Sequence, residues 1–231
     1  MPFYFFFDYY YIIFVIPAVI LSLIVQFKLK STYAKYSKVG NARRITGAQA
    51  ANLVLNYYGI SDVNIVSVAG TMTDHYDPTQ KVIRLSEGVF NSSSIAAVGI
   101  ACHEAGHAAQ HAENYAPIKI RNSILPVCNI GSSLSIPLLI AGIVLSFQPL
   151  VWIGIGFFAF TTVFQLVTLP VEFNASKRAV NVIESNGLLS FEEKNGAEKV
   201  LKAAAMTYVA ALAVSLAQLL RLIFRYTGRK R

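Results

Sequence analysis

Charge is scarce in this sequence, and cysteine and histidine are scarcer still. Of its 231 residues only 14% are Asp, Glu, Lys or Arg, against 55% hydrophobic, with a mean hydropathy of +0.50. That balance is more apolar than an ordinary globular domain carries. Four stretches, 9–27, 124–147, 149–169 and 203–220, contain no charged residue at all. Each approaches the roughly 20 helical residues that cross a bilayer, the last being the shortest. Their lack of ionisable groups argues against a transporter, whose ion path places such groups inside the membrane. No Lys or Arg precedes the first stretch and no small-residue cleavage site follows it, so it reads as a retained anchor and not as a signal peptide. With only Cys102 and Cys128 present, a structural disulfide does not suit a cytoplasmic or intramembrane setting. Both cysteines read as small buried apolar residues. No internal repeat stands out.

What charge there is lies in clusters. Lys and Arg outnumber Asp and Glu by 20 to 12, for a net +8. Lys28, Lys30, Lys35 and Lys38 follow the first apolar stretch, and Lys119 and Arg121 precede the second. These cations flank hydrophobic spans and belong to no nucleic-acid module, so no nucleic acid is expected as a partner. By the positive-inside tendency they place residues 28–123 in the cytoplasm and the amino terminus outside. The aromatic cluster FYFFFDYYYIIF, residues 3–14, suits the headgroup level at the start of that first span.

The expected architecture is therefore mainly α, with integral membrane helices and a cytoplasmic domain containing a small β-hairpin. Residues 1–27 form a membrane anchor helix, 28–123 the cytoplasmic domain, 124–169 two transmembrane helices, 170–202 a cytoplasmic helical segment, and 203–231 a last membrane helix with a basic tail. Within the cytoplasmic domain, periodicity predicts a helix beginning at Thr46 or Gly47 and ending at Gly59. VNIVSVAG and KVIRLS read as strands paired in a hairpin, with a turn at Asp77-Pro78. A helix starts at the Ser92–Ser94 cluster and runs beyond His107. Pro170 is expected to end or kink the third membrane helix. The tail poses a conflict: a crossing last helix sends Arg221, Arg225, Arg229, Lys230 and Arg231 outside, against the charge rule. The alternative is a helix lying in the interface.

The chain has only four histidines, and three of them, His103, His107 and His111, recur every four residues in one apolar helix. HEAGH, residues 103–107, fits H-E-x-x-H in the helical context that its chemistry requires. Residues i and i+4 lie about one turn apart, so both imidazoles can reach one Zn2+ ion, with Glu104 left to act as general base. His111 is about 12 Å from His103 along a continuous helix, too far to share one ion easily. AAQHAENY offers no Gly before His111 to turn the chain. His111 reads instead as an interfacial residue or one that orients a ligand. Glu172, directly after the third span, can complete a His2Glu set with an open fourth position. On local grounds alone it could equally be a helix N-terminal Glu favoured by the dipole. His75 and Tyr76, in TDHYDP, are candidates to donate to an oxyanion, although a His in such a place is more often a turn residue.

The motifs QFKLKSTYAKYSKV, TDHYDP, VIRLSEGVF, HEAGHAAQHAE and LPVEFNASKRA together resemble the YugP-type bacterial membrane zinc metallopeptidases. That family is reminiscent of HtpX and the CAAX prenyl proteases, in which a helical H-E-x-x-H is completed by the Glu of a downstream E-x-x-x-D helix. The resemblance implies a gluzincin-like zinc endopeptidase with His103, His107 and Glu172 as ligands and Glu104 as base. It implies a multi-pass protein of the bacterial cell membrane, with its active site facing the cytoplasm and a fourth membrane segment. The Asp position of the pattern falls on Ser176, so Asn174 or Ser176 would have to orient a ligand. Expected partners are protein or peptide substrates and the lipid bilayer; a homo-oligomer or membrane partner is left open. The rival reading is a zinc-binding scaffold or adaptor without hydrolytic activity, against which the intact Glu104 argues.

Overall fold

The computed structural model describes residues 8–227; Phe3 to Phe7 of the aromatic cluster and Gly228 to Arg231 of the basic tail lie outside the described residues. The chain divides into two compact units. One comprises residues 27–119 and 170–206, the other the segment up to 26, residues 120–169, and the segment from 207 onward.

A π-helical turn, Tyr11–Val15, leads into α1 (Ile16–Tyr36). There follow α2 (Gly47–Tyr57), β1 (Asn64–Val68), β2 (His75–Asp77), β3 (Val82–Ser86), the short α3 (Glu87–Phe90) and α4 (Ile95–Ala112). Three long helices complete the described chain: α5 (Ala116–Val144), α6 (Gln148–Ser185) and α7 (Phe191–Thr227).

In the unit that holds α2 and the strands, the helix ends follow side-chain chemistry. Thr46 Oγ1 accepts from the Gln49 N–H at 3.3 Å while Gln49 Oε1 accepts from the Thr46 N–H at 3.0 Å, a reciprocal cap that starts α2. Gly59, at φ +65°, takes the left-handed conformation just past the end of that helix. Ser94 Oγ caps α4 by accepting from the Ala97 N–H at 3.1 Å. Because α4 is built largely of Ala, Gly and Val, other elements can close on it from several sides. Val54 and Leu55 of α2, Ile83 and Leu85 of β3, Val182 and Ile183 of α6, and Ala197 and Leu201 of α7 form one buried cluster with Val98, Ala101 and Ala105. Cys102 lies in it as well, fully buried, and burial pushes its thiol pKa up, as befits an inert packing residue.

The strands pair differently from the expected hairpin. The sheet order is β1-β3-β2; β1 runs parallel to β3, and the antiparallel partner of β3 is β2. The reason lies in the segment between the two expected strands. After Asp77 a tight turn forms, in which Asp77 Oδ1 accepts from the N–H groups of Thr79 and Gln80 at 2.9 and 3.1 Å. That turn folds β3 back along His75–Asp77, so β1 pairs on the other side of β3, and a parallel pair needs a longer connection than a tight turn. A small hairpin is present, made by β2 and β3. As the central strand, β3 buries Val82, Ile83, Leu85 and Ser86.

Pro170 does not end its helix. It lies inside α6, whose 38 residues form one unbroken helix, so Glu172 belongs to the same helix as the third apolar stretch. A proline removes one backbone donor, a deficit that a long helix can carry. α6 ends beyond Ser185 at Gly187, φ +54°, with the Leu188 N–H donating to the Ile183 carbonyl at 3.0 Å.

Among the described residues four helices are long and apolar enough to cross a membrane: Tyr11–Tyr36, Ala116–Val144, Gln148–Ser185 and Phe191–Thr227. Large side chains such as Ile24, Ile136, Ile153 and Leu166 are exposed, as suits a surface that meets lipid tails. Some small and hydroxyl residues of these helices face inward, among them Ser135, Gly142, Thr162 and Ser215. Gly142 sits where a Cβ would come within 2.7 Å of the Val151 nitrogen. Ser215, one of the polar residues of the last apolar stretch, hydrogen-bonds Thr162 at 2.7 Å. In the same unit Asp8 joins the two ends of the described chain. Its Oδ2 accepts from Arg221 Nε and Nη2 at 3.0 and 2.9 Å and from Arg225 Nη1 at 2.5 Å, while the Arg221 guanidinium lies over the Tyr11 ring at 4.8 Å.

Since Arg221 is only 7% exposed, Asp8→Asn leaves a buried guanidinium without its counter-charge. The expected loss is about 3 kcal/mol of stability, read as a lower thermal midpoint of the full chain in detergent; an unchanged midpoint would show that the pair contributes nothing.

Candidate metal centre

The centre lies in the unit that contains α4 and the latter part of α6, and it begins with a missing Cβ. On Gly106 a methyl group would meet the Ala175 carbonyl oxygen at 2.7 Å and the Ala175 carbonyl carbon at 3.3 Å. The absence of a side chain therefore lets the backbones of α4 and α6 approach at that point. His103 and His107 lie about one turn apart on α4 on either side of the contact in sequence, and Glu172 lies about one turn before Ala175 on α6.

The consequence is a convergence of three donor atoms. Glu172 Oε2 is 3.3 Å from His103 Nε2 and 3.6 Å from His107 Nε2. The ligand atoms of these three residues all lie within 4.8 Å of one another. Four tetrahedral ligands at zinc distances of about 2.0–2.2 Å are separated by about 3.4 Å, so these spacings suit one shared ion. They are long for a charge-assisted N–H···O contact, which is about 2.7–2.9 Å. Glu172 is 3% exposed, and a buried carboxylate needs a positive partner.

The electrostatics point the same way. Burial works against a charged His107, but Glu172, Glu104 and Gln110 more than offset it and raise its pKa above the ordinary imidazole value. Burial likewise raises the Glu172 carboxyl, yet the two imidazoles outweigh it and hold the group well below the usual carboxylate range. Positive charge is thus favoured between the ring nitrogens and the carboxylate.

Both imidazoles are held from behind. Ser176 Oγ lies 3.1 Å from His103 Nδ1, and Gln110 Oε1 lies 3.0 Å from His107 Nδ1. In each ring the outward nitrogen is engaged and Nε2 is turned to the centre. Asn174 stands one step further back, where its Oδ1 accepts from Gln110 Nε2 at 3.0 Å and from Arg178 Nε at 2.8 Å.

The remaining sequence candidates occupy other places. Glu104 follows His103 on α4, and its charge is felt at His107. His111 lies one turn beyond His107, its ring 5.6 Å from that of Tyr76. It is not among the three clustered donors. Through that ring contact Tyr76 sets β2 beside α4, an arrangement that nothing in the sequence reveals. Burial, together with the charges of Asp62 and Asp77, raises the Tyr76 hydroxyl pKa, so it stays protonated and able to donate. His75 is exposed at the start of β2; its Nδ1 is 2.8 Å from the Thr73 carbonyl and its Nε2 is 3.5 Å from Arg84. Sequence reading missed Gln110 and Gly106. A usable signal was there for Gln110, a polar residue one turn after His107 in a run otherwise suited to burial.

A family model described as "Putative neutral zinc metallopeptidase" matches residues 11–227. The chain belongs to that family. It is also 48% identical over 213 residues to the "Putative membrane protease YugP" of Bacillus subtilis (strain 168), covering 92% of this chain and 95% of the relative. No solved structure matches the chain. Zinc is the metal that membership in this neutral metallopeptidase family implies, and the two-nitrogen, one-carboxylate donor set with its spacing fits that ion.

Replacing Gly106 with Ala places a Cβ against the Ala175 carbonyl and must part the two helices. The expected result is a stability loss of about 1–3 kcal/mol together with weaker zinc retention on dialysis; zinc content and thermal midpoint both equal to wild type would refute the close-approach account.

Proposed function

We propose that this family member is an integral-membrane zinc-dependent endopeptidase of the gluzincin type, with His103, His107 and Glu172 as zinc ligands and Glu104 as the general base. The observation that carries this reading is the convergence of the three donors at 3.3 and 3.6 Å, at the spacing of a tetrahedral zinc site. A zinc ion held there supplies Lewis acidity toward the scissile carbonyl and lowers the pKa of water to about 7. The Glu104 carboxylate takes the proton as water attacks the peptide carbonyl and returns it to the amine nitrogen as the C–N bond breaks. Gln110 and Ser176 keep the two imidazoles in place throughout. Tyr76 is available to donate to the developing oxyanion, with its hydroxyl protonated near neutral pH.

Substrates of this site are membrane or membrane-proximal proteins. Glu172 follows the last residue of the charge-free 149–169 stretch by three positions of one unbroken helix, about 4.5 Å of rise. β1 and β2 form the two edges of the sheet, so an extended peptide could pair there through its main chain, which would make cleavage tolerant of sequence. The site faces the cytoplasm of a bacterial cell, on the side of Lys28 to Lys38, Lys177 and Arg178.

The test of the chemistry is a set of purified variants. Glu104→Gln is expected to retain about one zinc per chain and to lose peptidase activity on the order of 10²–10⁴-fold, because the base is gone and the ligands remain. Glu172→Gln and His107→Ala are expected to lose the metal, and His111→Ala to keep it. Full turnover by Glu104→Gln, or a metal-free His111→Ala beside a loaded Glu172→Gln, would sink the assignment.

The last helix crosses the bilayer in this reading, and the Asp8 contacts support it. Arg221 and Arg225 meet a residue at the start of the first span, as the far end of a fourth crossing must, and two of the tail's cations are thereby matched by an anion. A single cysteine introduced at Gly228 is expected to react with a membrane-impermeant reagent in intact cells; reaction only after lysis rejects the crossing.

A further inference from the structure

The contact behind His107 has a direction, and α6 sets it. Gln110 is fully buried, so its amide must satisfy each polar atom within the protein. Gln110 Nε2 meets the Val171 carbonyl oxygen at 2.8 Å and Asn174 Oδ1 at 3.0 Å. The first can only accept. The second also receives Arg178 Nε at 2.8 Å, and a guanidinium has no acceptor, so Asn174 too presents its oxygen. Arg178 is itself held by Glu113 at 2.6 Å and lies against the rings of Tyr58 and Tyr115 at 5.5 and 5.9 Å. With two acceptors on one side, the Gln110 nitrogen is committed there and its oxygen faces His107 Nδ1 at 3.0 Å. Two acceptors face the ring, but Gln110 Oε1 stands at hydrogen-bond distance from Nδ1, 3.0 Å, whereas Glu172 Oε2 is 3.6 Å from Nε2, beyond it, so the geometry puts the proton of the neutral ring on Nδ1 and leaves Nε2 with its lone pair. His103 is held differently, since the Ser176 hydroxyl at its Nδ1 can donate or accept and selects no tautomer by itself.

We propose that Gln110 is the positioning residue of His107: its amide, oriented by the Val171 carbonyl and the Asn174–Arg178 pair, holds the imidazole as the Nδ1–H tautomer ready to bind a metal through Nε2. This rests on His107 being a zinc ligand. Gln110 touches neither metal nor substrate and acts through the ring alone. Loss of such a supporting hydrogen bond typically weakens metal affinity about 10–100-fold.

The test uses the full chain in detergent and two readouts. Ring-nitrogen NMR of the zinc-free wild type, at a pH where His107 is neutral, is expected to show the proton on Nδ1. In Gln110→Met, which keeps the side chain's length and removes the acceptor, the ring is expected to shift toward the Nε2–H form and zinc to bind about 10–100-fold more weakly at a preserved thermal midpoint. A wild-type His107 with its proton on Nε2 overturns the proposal, and that measurement needs no variant to fold. A folded Gln110→Met with zinc Kd within about twofold of wild type overturns it as well. His107→Ala is titrated in parallel. Zinc bound equally well by His107→Ala would remove the ligand assignment, a failure that the tautomer of the zinc-free ring distinguishes from failure of the relay.

Discussion

The site depends on how near two helices can come at one point. Gly106 gives α4 no side chain where the Ala175 carbonyl arrives, and that approach sets a carboxylate of α6 against two imidazoles of α4. Metal sites tolerate little error in ligand position, and helices hold ligands more rigidly than loops do. In HEAGH, therefore, the glycine between the histidines acts through space: it fixes the separation of the backbones that carry the three clustered donors. Ala175 and Ala179, both fully buried on the facing helix, keep that seam thin.

The close approach places polar groups in an apolar interior, and the protein satisfies them by linking them. Gln110 is fully buried and Glu172 nearly so, both next to a core of Ala, Val, Leu and Ile. Each would be costly alone. Joined, they form a connected path from Glu172 through His107, Gln110 and Asn174 to Arg178 and Glu113, where side chains reach greater exposure. The scarcity of charge elsewhere in the chain gives this path its weight, because a core with so few polar groups fixes orientation wherever one occurs.

The helices were legible because their signals are local. Charge-free stretches mark the candidate spans, Thr46 and Ser94 the caps, Gly59 an end, and a four-residue spacing puts His103 and His107 on one face. Glu172 was legible only in part. Local sequence leaves it indistinguishable from an N-terminal helix Glu, and the resemblance to known metallopeptidases singled it out. What escaped was non-local. Strand polarity was misread because three residues, His75 to Asp77, are too few to show periodicity, yet they take the antiparallel place beside β3. Local propensity lets Pro170 end or kink its helix, and of the two the ending does not occur, because one lost backbone donor does not stop a long helix. Gln110 was passed over because a glutamine in a helix is ordinary until its burial is known.

The number of donors bears on what such a centre is for. A structural zinc site is closed by four protein ligands, and a zinc-binding adaptor would be expected to have that set. Among the described residues, the cluster of potential ligands at this point contains three, His103, His107 and Glu172. The nearest thiol in sequence, Cys102, is turned into the core, fully buried among Ala and Val side chains, with its ionisation suppressed by burial. Its sulfur is not among the clustered donor atoms. The proposed hydrolytic role would assign a fourth position to water and substrate, and Glu104, next to His103 in sequence and felt electrostatically at His107, to the base.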